Sequence, residues 1–199
     1  MVDGAPTLEI EAWGGPEREV SRSPGEPFGA GPTDPGQYVI WTVGPYVTRT
    51  WPWSRIRWGA RLKLAMGDLD DVIYEADPGK WRSVKKLTGL RRAAIAHRYH
   101  DLYGEWRVPD TWVFNDFGPT AIRYFKDRNH DGRLDNGETL SREMFHTTPD
   151  NEANPSSRMY ESHGCIHLRP AQRDRMMSAG GLRRGMPLVI HTYSERFNP

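Results

Sequence analysis

Short runs of strand length, separated by glycine and proline, constrain the fold of this chain most. Three of them are residues 7–13, 37–43 and 186–193, which alternate apolar with polar positions or are rich in β-branched and aromatic side chains. The sequence holds 20 glycines and 16 prolines, and these residues favour turns between such runs. The pattern predicts a mainly β domain.

Residues 120–126, which look strand-like, and residues 139–148 bracket a polar loop described below. Two segments predict helices. Residues 169–182 begin with Pro170 in the first turn and end in glycines. Residues 89–106 have a roughly helical spacing of Leu90, Ala93, Ala94, His97, Leu102 and Tyr103.

The length and charge of the chain favour one domain, residues 1–199, with a discrete substrate site. Its 199 residues are enough for a single core. The 27 basic and 26 acidic residues nearly cancel, which disfavours broad capture of nucleic acid or anionic membranes. We find no signal-peptide pattern and no apolar run of transmembrane length, so we expect no membrane span. The oligomeric state is not predicted.

A twelve-residue loop, residues 127–138, matches the ligand pattern of an EF-hand calcium loop. Gly132 stands at position 6, where the loop turns sharply, and Leu134 is the apolar residue at position 8. We expect a structural Ca²⁺ here, while the alternative is a polar hairpin built on the "DG" and "NG" turns. The oxygen ligands would come from Asp127, Asn129, Asp131, the Arg133 carbonyl, a water held by Asp135, and Glu138.

The only cysteine, Cys165, lies in the stretch SHGCIHL, with His163 and His167 on either side. A single cysteine excludes an intrachain disulfide. A catalytic thiol needs a base to remove its proton, and His146 is a third histidine close in sequence. Backbone N–H groups of the Gly164–Cys165 turn could face a developing oxyanion. These residues favour nucleophilic catalysis.

SHGCIHL resembles the signature of the L,D-transpeptidase (YkuD) catalytic domain. That signature has Ser or Thr, His, Gly and Cys, then an apolar residue and Asn or Arg, with a histidine somewhat under twenty residues upstream. Here FHTT supplies His146 and Thr147. TDPGQYVI is similar to the early TPxGxYxI segment of the family, and GMPLVIHTY to its closing strand. The resemblance covers nearly the whole chain and implies a β-sandwich or mixed-sheet core with few helices, in which residues 45–138 form an enlarged middle insertion.

The resemblance implies a role for each motif residue. Cys165 would be the nucleophile and His146 its base, with the Thr147 backbone orienting His146. His163 would support the site, and the Gly164 and Cys165 amides would stabilise the oxyanion. Ser162, His167 and Arg169 would contact substrate. His167 departs from the family pattern, which has Asn or Arg there, and its charge near neutral pH is open.

The activity that the resemblance implies is acyl transfer on peptidoglycan stem peptides. The thiolate would attack the carbonyl of the L-centre of diaminopimelate in a tetrapeptide, release D-alanine and form a thioester. An amine would then resolve the thioester by cross-linking or D-amino acid exchange, or water would do so, which is L,D-carboxypeptidase activity. No cofactor is expected for catalysis.

Two alternatives to this enzyme come from other classes of protein. One is a zinc hydrolase or structural zinc site that uses His146, His163, Cys165 and His167. The other is a non-catalytic peptidoglycan-binding module. Within the enzyme hypothesis the expected site of action is the periplasm or cell envelope, and the chain would be either a housekeeping wall enzyme or an antibacterial effector.

Overall fold

The computed structural model describes residues 8–21, 29–135 and 137–195, and the predicted strand residue Thr7 lies outside them. The chain is mainly β, as the sequence predicted. Nine strands are described: β1 Ala12–Trp13, β2 Gly36–Gly44, β3 Leu62–Leu64, β4 Val72–Asp77, β5 Lys80–Ser83, β6 Ala121–Lys126, β7 Leu140–His146, β8 Ile166–Leu168 and β9 Pro187–Ile190. The helices are α1 Val84–Thr88, α2 Arg92–Tyr103, α3 Pro149–Ala153 and α4 Pro170–Ser178, with a 3₁₀ turn at Pro52–Arg55.

The chain divides into two compact units. The first comprises residues 1–44, 121–146 and 158–199, and the second comprises residues 45–120 and 147–157. The chain therefore leaves the first unit after His146 and returns to it before the cysteine motif. The second unit begins at residue 45, where the middle insertion was predicted to begin. Residues 121–126, which were assigned to that insertion, form a strand of the first unit.

The first unit contains a six-stranded mixed sheet with the order β1-β8-β7-β6-β2-β9. Its neighbouring strands are antiparallel except β7 and β8, which are parallel. Parallel neighbours need a long connection, and the residues between β7 and β8 supply it. The core on this sheet consists of Tyr38, Ile40, Ile122, Tyr124, Phe145, Ile166, Leu168 and Leu182.

The second unit has its own core and a three-stranded antiparallel sheet, β3-β4-β5. Ser83 caps α1 by accepting a hydrogen bond from the Lys86 N–H at 2.9 Å. The buried Trp112 donates its indole N–H to the Trp53 carbonyl at 2.9 Å. The aromatic residues of this segment therefore largely fill a core, which consists of Ile56, Ala60, Leu62, Val72, Tyr74, Val84, Ile95, Tyr99, Trp112 and Phe114.

The two predicted helices, α2 and α4, begin and end close to the predicted positions. Gly104, with a φ of 78°, ends α2 in the left-handed conformation that glycine favours. Ile95 and Tyr99 are the buried residues of this helix, whereas the His97 side chain is 65% exposed. Of the residues with helical spacing, Leu90, Leu102 and Tyr103 pack against the core of the second unit, whereas Ala93, Ala94 and His97 are exposed.

No helix in the described residues combines the length and the apolar character that a membrane crossing requires.

Candidate active site

The parallel pairing of β7 with β8 brings the upstream histidine beside the cysteine motif. In this register Phe145 lies opposite Ile166, and His146 lies opposite His167. Phe145 and Ile166 contribute to the core, and side chains alternate between faces along a strand. The His146 and His167 rings therefore share the other face, where they meet edge to face with centroids 4.6 Å apart. His146 is buried, with 5% of its surface exposed.

Cys165 lies in a tight turn immediately before β8. Gly164 has a φ of +119°, which L-residues with a side chain rarely adopt. The Gly164 N–H donates to the Ser162 hydroxyl oxygen at 3.0 Å, and the Ser162 hydroxyl donates to the Cys165 carbonyl. Ser162 therefore holds the turn from inside. Of the two amides predicted to stabilise an oxyanion, the Gly164 N–H has a partner within the turn.

The side chain of Thr33, which belongs to another segment of the first unit, binds the turn from outside. The Thr33 hydroxyl donates to the Gly164 carbonyl at 2.9 Å and accepts from the Gly15 N–H at 3.0 Å. The Tyr193 hydroxyl donates to the Gly15 carbonyl at 2.6 Å and accepts from the Thr33 N–H at 3.3 Å. Residues distant in sequence thus converge on the backbone next to Cys165.

Burial and a nearby carboxylate keep Cys165 in the thiol form. Burial, with the Glu143 charge, raises the pKa of the thiol to about 11, while a hydrogen bond from the Met144 backbone N–H acts in the opposite direction. Reactive cysteines usually have a low pKa, because a nearby positive charge stabilises the thiolate. In this structure the Cys165 thiol is neutral and lies next to β7, the strand that ends at His146. A reaction in which Cys165 is the nucleophile therefore has to remove the proton of the thiol.

His167 and His163 differ in their surroundings. Burial lowers the pKa of His167, while its hydrogen bond to the Tyr160 backbone raises it and His163 lowers it further. His167 is therefore neutral at pH 7 and cannot supply the charge of the Arg found in the related pattern. His163 is exposed.

Sequence reasoning missed Glu143, which lies next to the cysteine turn. Its Oε1 accepts a hydrogen bond from the Asp34 N–H at 2.9 Å, and its Oε2 accepts from the Tyr124 hydroxyl at 3.3 Å. Burial raises the pKa of this carboxyl group. One signal in the sequence could have found it. Glu143 lies two positions before Phe145 in the same strand, so both side chains are on the same face, and positions on a core-facing side of a strand are usually apolar.

No family model, curated protein or solved structure matches this chain. The L,D-transpeptidase interpretation therefore depends on the motif and on the geometry described above.

Thr147 and Arg169 are two further residues that the sequence assigned to the site. Thr147 is buried and belongs to the second unit, where its hydroxyl donates to Glu152 Oε1 at 2.6 Å. Arg169 directly precedes α4, and its guanidinium lies over the Trp13 ring, 5.2 Å from the ring centre. Neither contact involves Cys165.

The predicted calcium loop follows β6 directly. The Gly132 N–H donates to Asp127 Oδ2 at 3.1 Å, and Gly132 has a φ of 72°, as the sharp turn at position 6 requires. Glu138 Oε1 accepts from the Arg128 N–H at 2.6 Å, and Asp131 Oδ1 accepts from the Arg133 N–H at 2.8 Å. The loop is thus closed by bonds between its carboxylates and its own backbone.

Within residues 8–21, 29–135 and 137–195, no group of three or more His, Cys, Asp and Glu side chains is arranged to hold a metal ion. Neither the four residues of the zinc alternative nor the described residues of the loop form such a group. One oxygen of the loop nevertheless has no hydrogen-bond partner although it is buried, namely Asp127 Oδ1.

Proposed function

We propose that this chain is a cysteine-dependent L,D-transpeptidase that acts on peptidoglycan stem peptides in the periplasm or cell envelope. The observation that carries the proposal is the parallel β7–β8 register, which sets His146 beside His167 and next to the Cys165 turn. The proposed chemistry requires the upstream histidine to lie close to the SHGC turn. The observed register supports that arrangement.

In the proposed acylation, His146 is a general base that acts on a neutral thiol. Since burial raises the pKa of Cys165 to about 11, the proton moves to the imidazole as Sγ attacks the carbonyl carbon at the L-centre of diaminopimelate. The Cys165 N–H is the available donor to the oxyanion. When the C–N bond to D-alanine breaks, the imidazolium returns the proton to the leaving amine, and a thioester remains.

In the second half-reaction the same histidine would act on the acceptor. A primary amine of a second stem, or of a free D-amino acid, attacks the thioester carbonyl and loses its proton to His146. The C–S bond breaks and the thiol is regenerated with that proton. Water in place of the amine would give the tripeptide, which is L,D-carboxypeptidase activity.

The test is intact-protein mass spectrometry after brief incubation with a disaccharide-tetrapeptide, with analysis of the small products from the same tube. We expect a thioester adduct and released D-alanine from the wild type and neither from Cys165→Ala. His146→Ala should slow adduct formation at least about 100-fold, the range of a general base. His97→Ala, which changes an exposed histidine of the second unit, is the matched control and should react at the wild-type rate.

An absence of adduct and of D-alanine with folded wild-type protein would overturn the proposal. Two further measurements on that sample then separate the alternatives. Stoichiometric zinc by elemental mass spectrometry would support the zinc site, while binding to peptidoglycan without turnover would support the binding module.

We also propose that residues 127–138 bind Ca²⁺ in a structural role. The observation in favour is the buried, unpartnered Asp127 Oδ1, which stands at position 1 of a complete ligand pattern. A buried carboxylate oxygen without a partner is costly, and a cation would satisfy it. Asp127, Asn129, Asp131 and Glu138 would hold the ion with the Arg133 carbonyl, once the carboxylates release their bonds to the loop backbone.

Thermal unfolding tests the calcium proposal. Millimolar Ca²⁺ should raise the Tm relative to a chelated sample, because a ligand present at 100 times its Kd stabilises the folded state by about 2.7 kcal/mol. Asp127→Asn should remove most of that increase, whereas Asp110→Asn, an exposed aspartate outside the loop, should keep it. An unchanged Tm in wild-type protein would show that the loop is only a turn.

A further inference from the structure

No cation among the described residues forms an ion pair with the Glu143 carboxylate. Burial raises the pKa of this group, although the charge of Lys126 acts in the opposite direction. Both of its hydrogen-bond donors are neutral groups, the Asp34 N–H and the Tyr124 hydroxyl. The nearby Lys126 ammonium is paired with Asp34 Oδ2 at 2.9 Å. Carboxylates that are partly buried without a cation lose solvation and gain little in return, so they often mark sites where a ligand supplies the missing charge.

The position of this carboxylate next to the nucleophile gives it a chemical role. A Cβ atom at Gly164 would lie 3.2 Å from Glu143 Oε1, so the carboxylate packs directly on the turn that carries Cys165. Its negative charge opposes formation of the Cys165 thiolate. The negative charge of Glu143 therefore hinders formation of the Cys165 thiolate unless the substrate brings a cation.

The other groups that face Glu143 do not supply that cation. Asp34 and Lys126 largely offset each other, and Tyr124 and Cys165 are neutral acids whose pKa values burial raises. The environment of Glu143 is therefore selective for a group that carries one positive charge and several N–H donors. A primary ammonium meets both conditions.

Building on the proposed function, we propose that Glu143 determines substrate specificity by binding a primary ammonium group of the acyl donor. The bound ammonium offsets the Glu143 charge and so removes part of the electrostatic barrier to thiolate formation. Donors without that ammonium would leave Cys165 in its resting, weakly nucleophilic state. Recognition of the donor and activation of the nucleophile would then depend on the same ion pair.

The experiment compares two donor tetrapeptides that differ only in whether the side-chain amine of the third residue is free or acetylated. We expect wild-type protein to form the thioester at least about 10-fold faster with the free amine, and Glu143→Gln to react with both donors at similar rates. Glu17→Gln, which changes an exposed carboxylate of the same unit, should keep the wild-type preference. A preference unchanged in Glu143→Gln would overturn the proposal.

Binding to the Cys165→Ala protein, with and without Glu143→Gln, separates this proposal from the proposed reaction. Calorimetry should show tighter binding of the free amine only when Glu143 is present. If that preference appears but the wild type forms no thioester, the ammonium site stands and the reaction fails. Equal binding of both donors, or binding of neither, would overturn the ammonium site. Glu143→Gln keeps an oxygen that accepts from the Asp34 N–H, and an unchanged Tm checks that it folds.

Discussion

Cys165 shows how surroundings decide the chemistry of a single residue. The sequence places it between two histidines, a pattern that suggests a thiolate stabilised by positive charge. In the folded chain it lies instead beside the Glu143 carboxylate and the Met144 backbone of β7, and burial raises the pKa of its thiol. Glu143, which the sequence did not single out, adds to the effect of burial on the nucleophile.

The pKa of Cys165 predicts a specific pH profile. The folded protein should react slowly with iodoacetamide at pH 7, and its alkylation rate should rise towards a midpoint near pH 11. In urea the same thiol should titrate near its unperturbed pKa of 9.0. Intact mass against time at each pH gives the rates. A folded-state midpoint below pH 7 would contradict this account.

The same shift links stability to pH. Because the folded pKa lies above the unperturbed value of 9.0, the folded state keeps the proton at pH values where the unfolded chain has lost it. The stabilising contribution of this group is therefore complete below about pH 9 and is lost as the pH rises towards about 11.

Thr33 is the residue whose side chain most directly fixes the cysteine turn. Thr33→Val should reduce the rate of thioester formation, since the Gly164 carbonyl loses its donor and the Gly15 N–H loses its acceptor. The expected loss of stability is about 1–3 kcal/mol, measured by urea unfolding. Thr33→Ser keeps the hydroxyl and should restore the rate. If Thr33→Val destabilises the protein but acylates normally, the hydroxyl serves only the fold.

Among the elements, the β7–β8 pair has the largest effect on the site. The sequence did not predict β8 as a strand, and its parallel pairing with β7 joins segments separated by an excursion of the chain into the second unit. A shift of the register by one residue would turn His146 towards the core and Phe145 towards the site. The buried Phe145, Ile166 and Leu168 fix that register because they occupy the core face.

The backbone at Gly15 passes very close to the backbone at Gly31 and Gly164, and a substitution can test this close approach. A Cβ at Gly15 would overlap the Gly31 carbonyl oxygen and lie 3.0 Å from the Gly164 Cα. Gly15→Ala should therefore push the 31–33 segment away from the cysteine turn, lower the Tm and slow acylation. Gly31→Ala is the matched control, because its Cβ would meet only the Glu19 Cγ at 4.0 Å. Equal effects of the two changes would contradict the proposed role of this close approach.

At the scale of the whole molecule, two units with separate cores share one chain. The cysteine, its neighbouring histidines and Glu143 all belong to the first unit, while the second unit contains its own aromatic core. The fold class was predictable because strand-length runs recur along the chain. For the aromatic residues of the second unit the sequence favoured a core over the lining of a groove, and the structure confirms the core.

The proposed activity predicts a compartment-dependent effect on bacterial growth. When the chain is directed to the periplasm of a test bacterium, where peptidoglycan is accessible, its expression should slow growth and change the muropeptide profile. Cytosolic expression at the same level should do neither, and Cys165→Ala should abolish both effects. Slow growth with an unchanged muropeptide profile would point to a cause other than acyl transfer.

The sequence by itself determined the mainly β fold class and the approximate positions of β2, β6, β9, α2 and α4, and it singled out Cys165 and His146 as candidates, because local periodicity, turn residues and short motifs act over a few neighbours. Only the tertiary structure decided that His146 lies beside His167, that Glu143 contacts the cysteine turn and that Thr33 fixes it. These facts depend on strand register and burial, which arise when segments distant in sequence pack against each other.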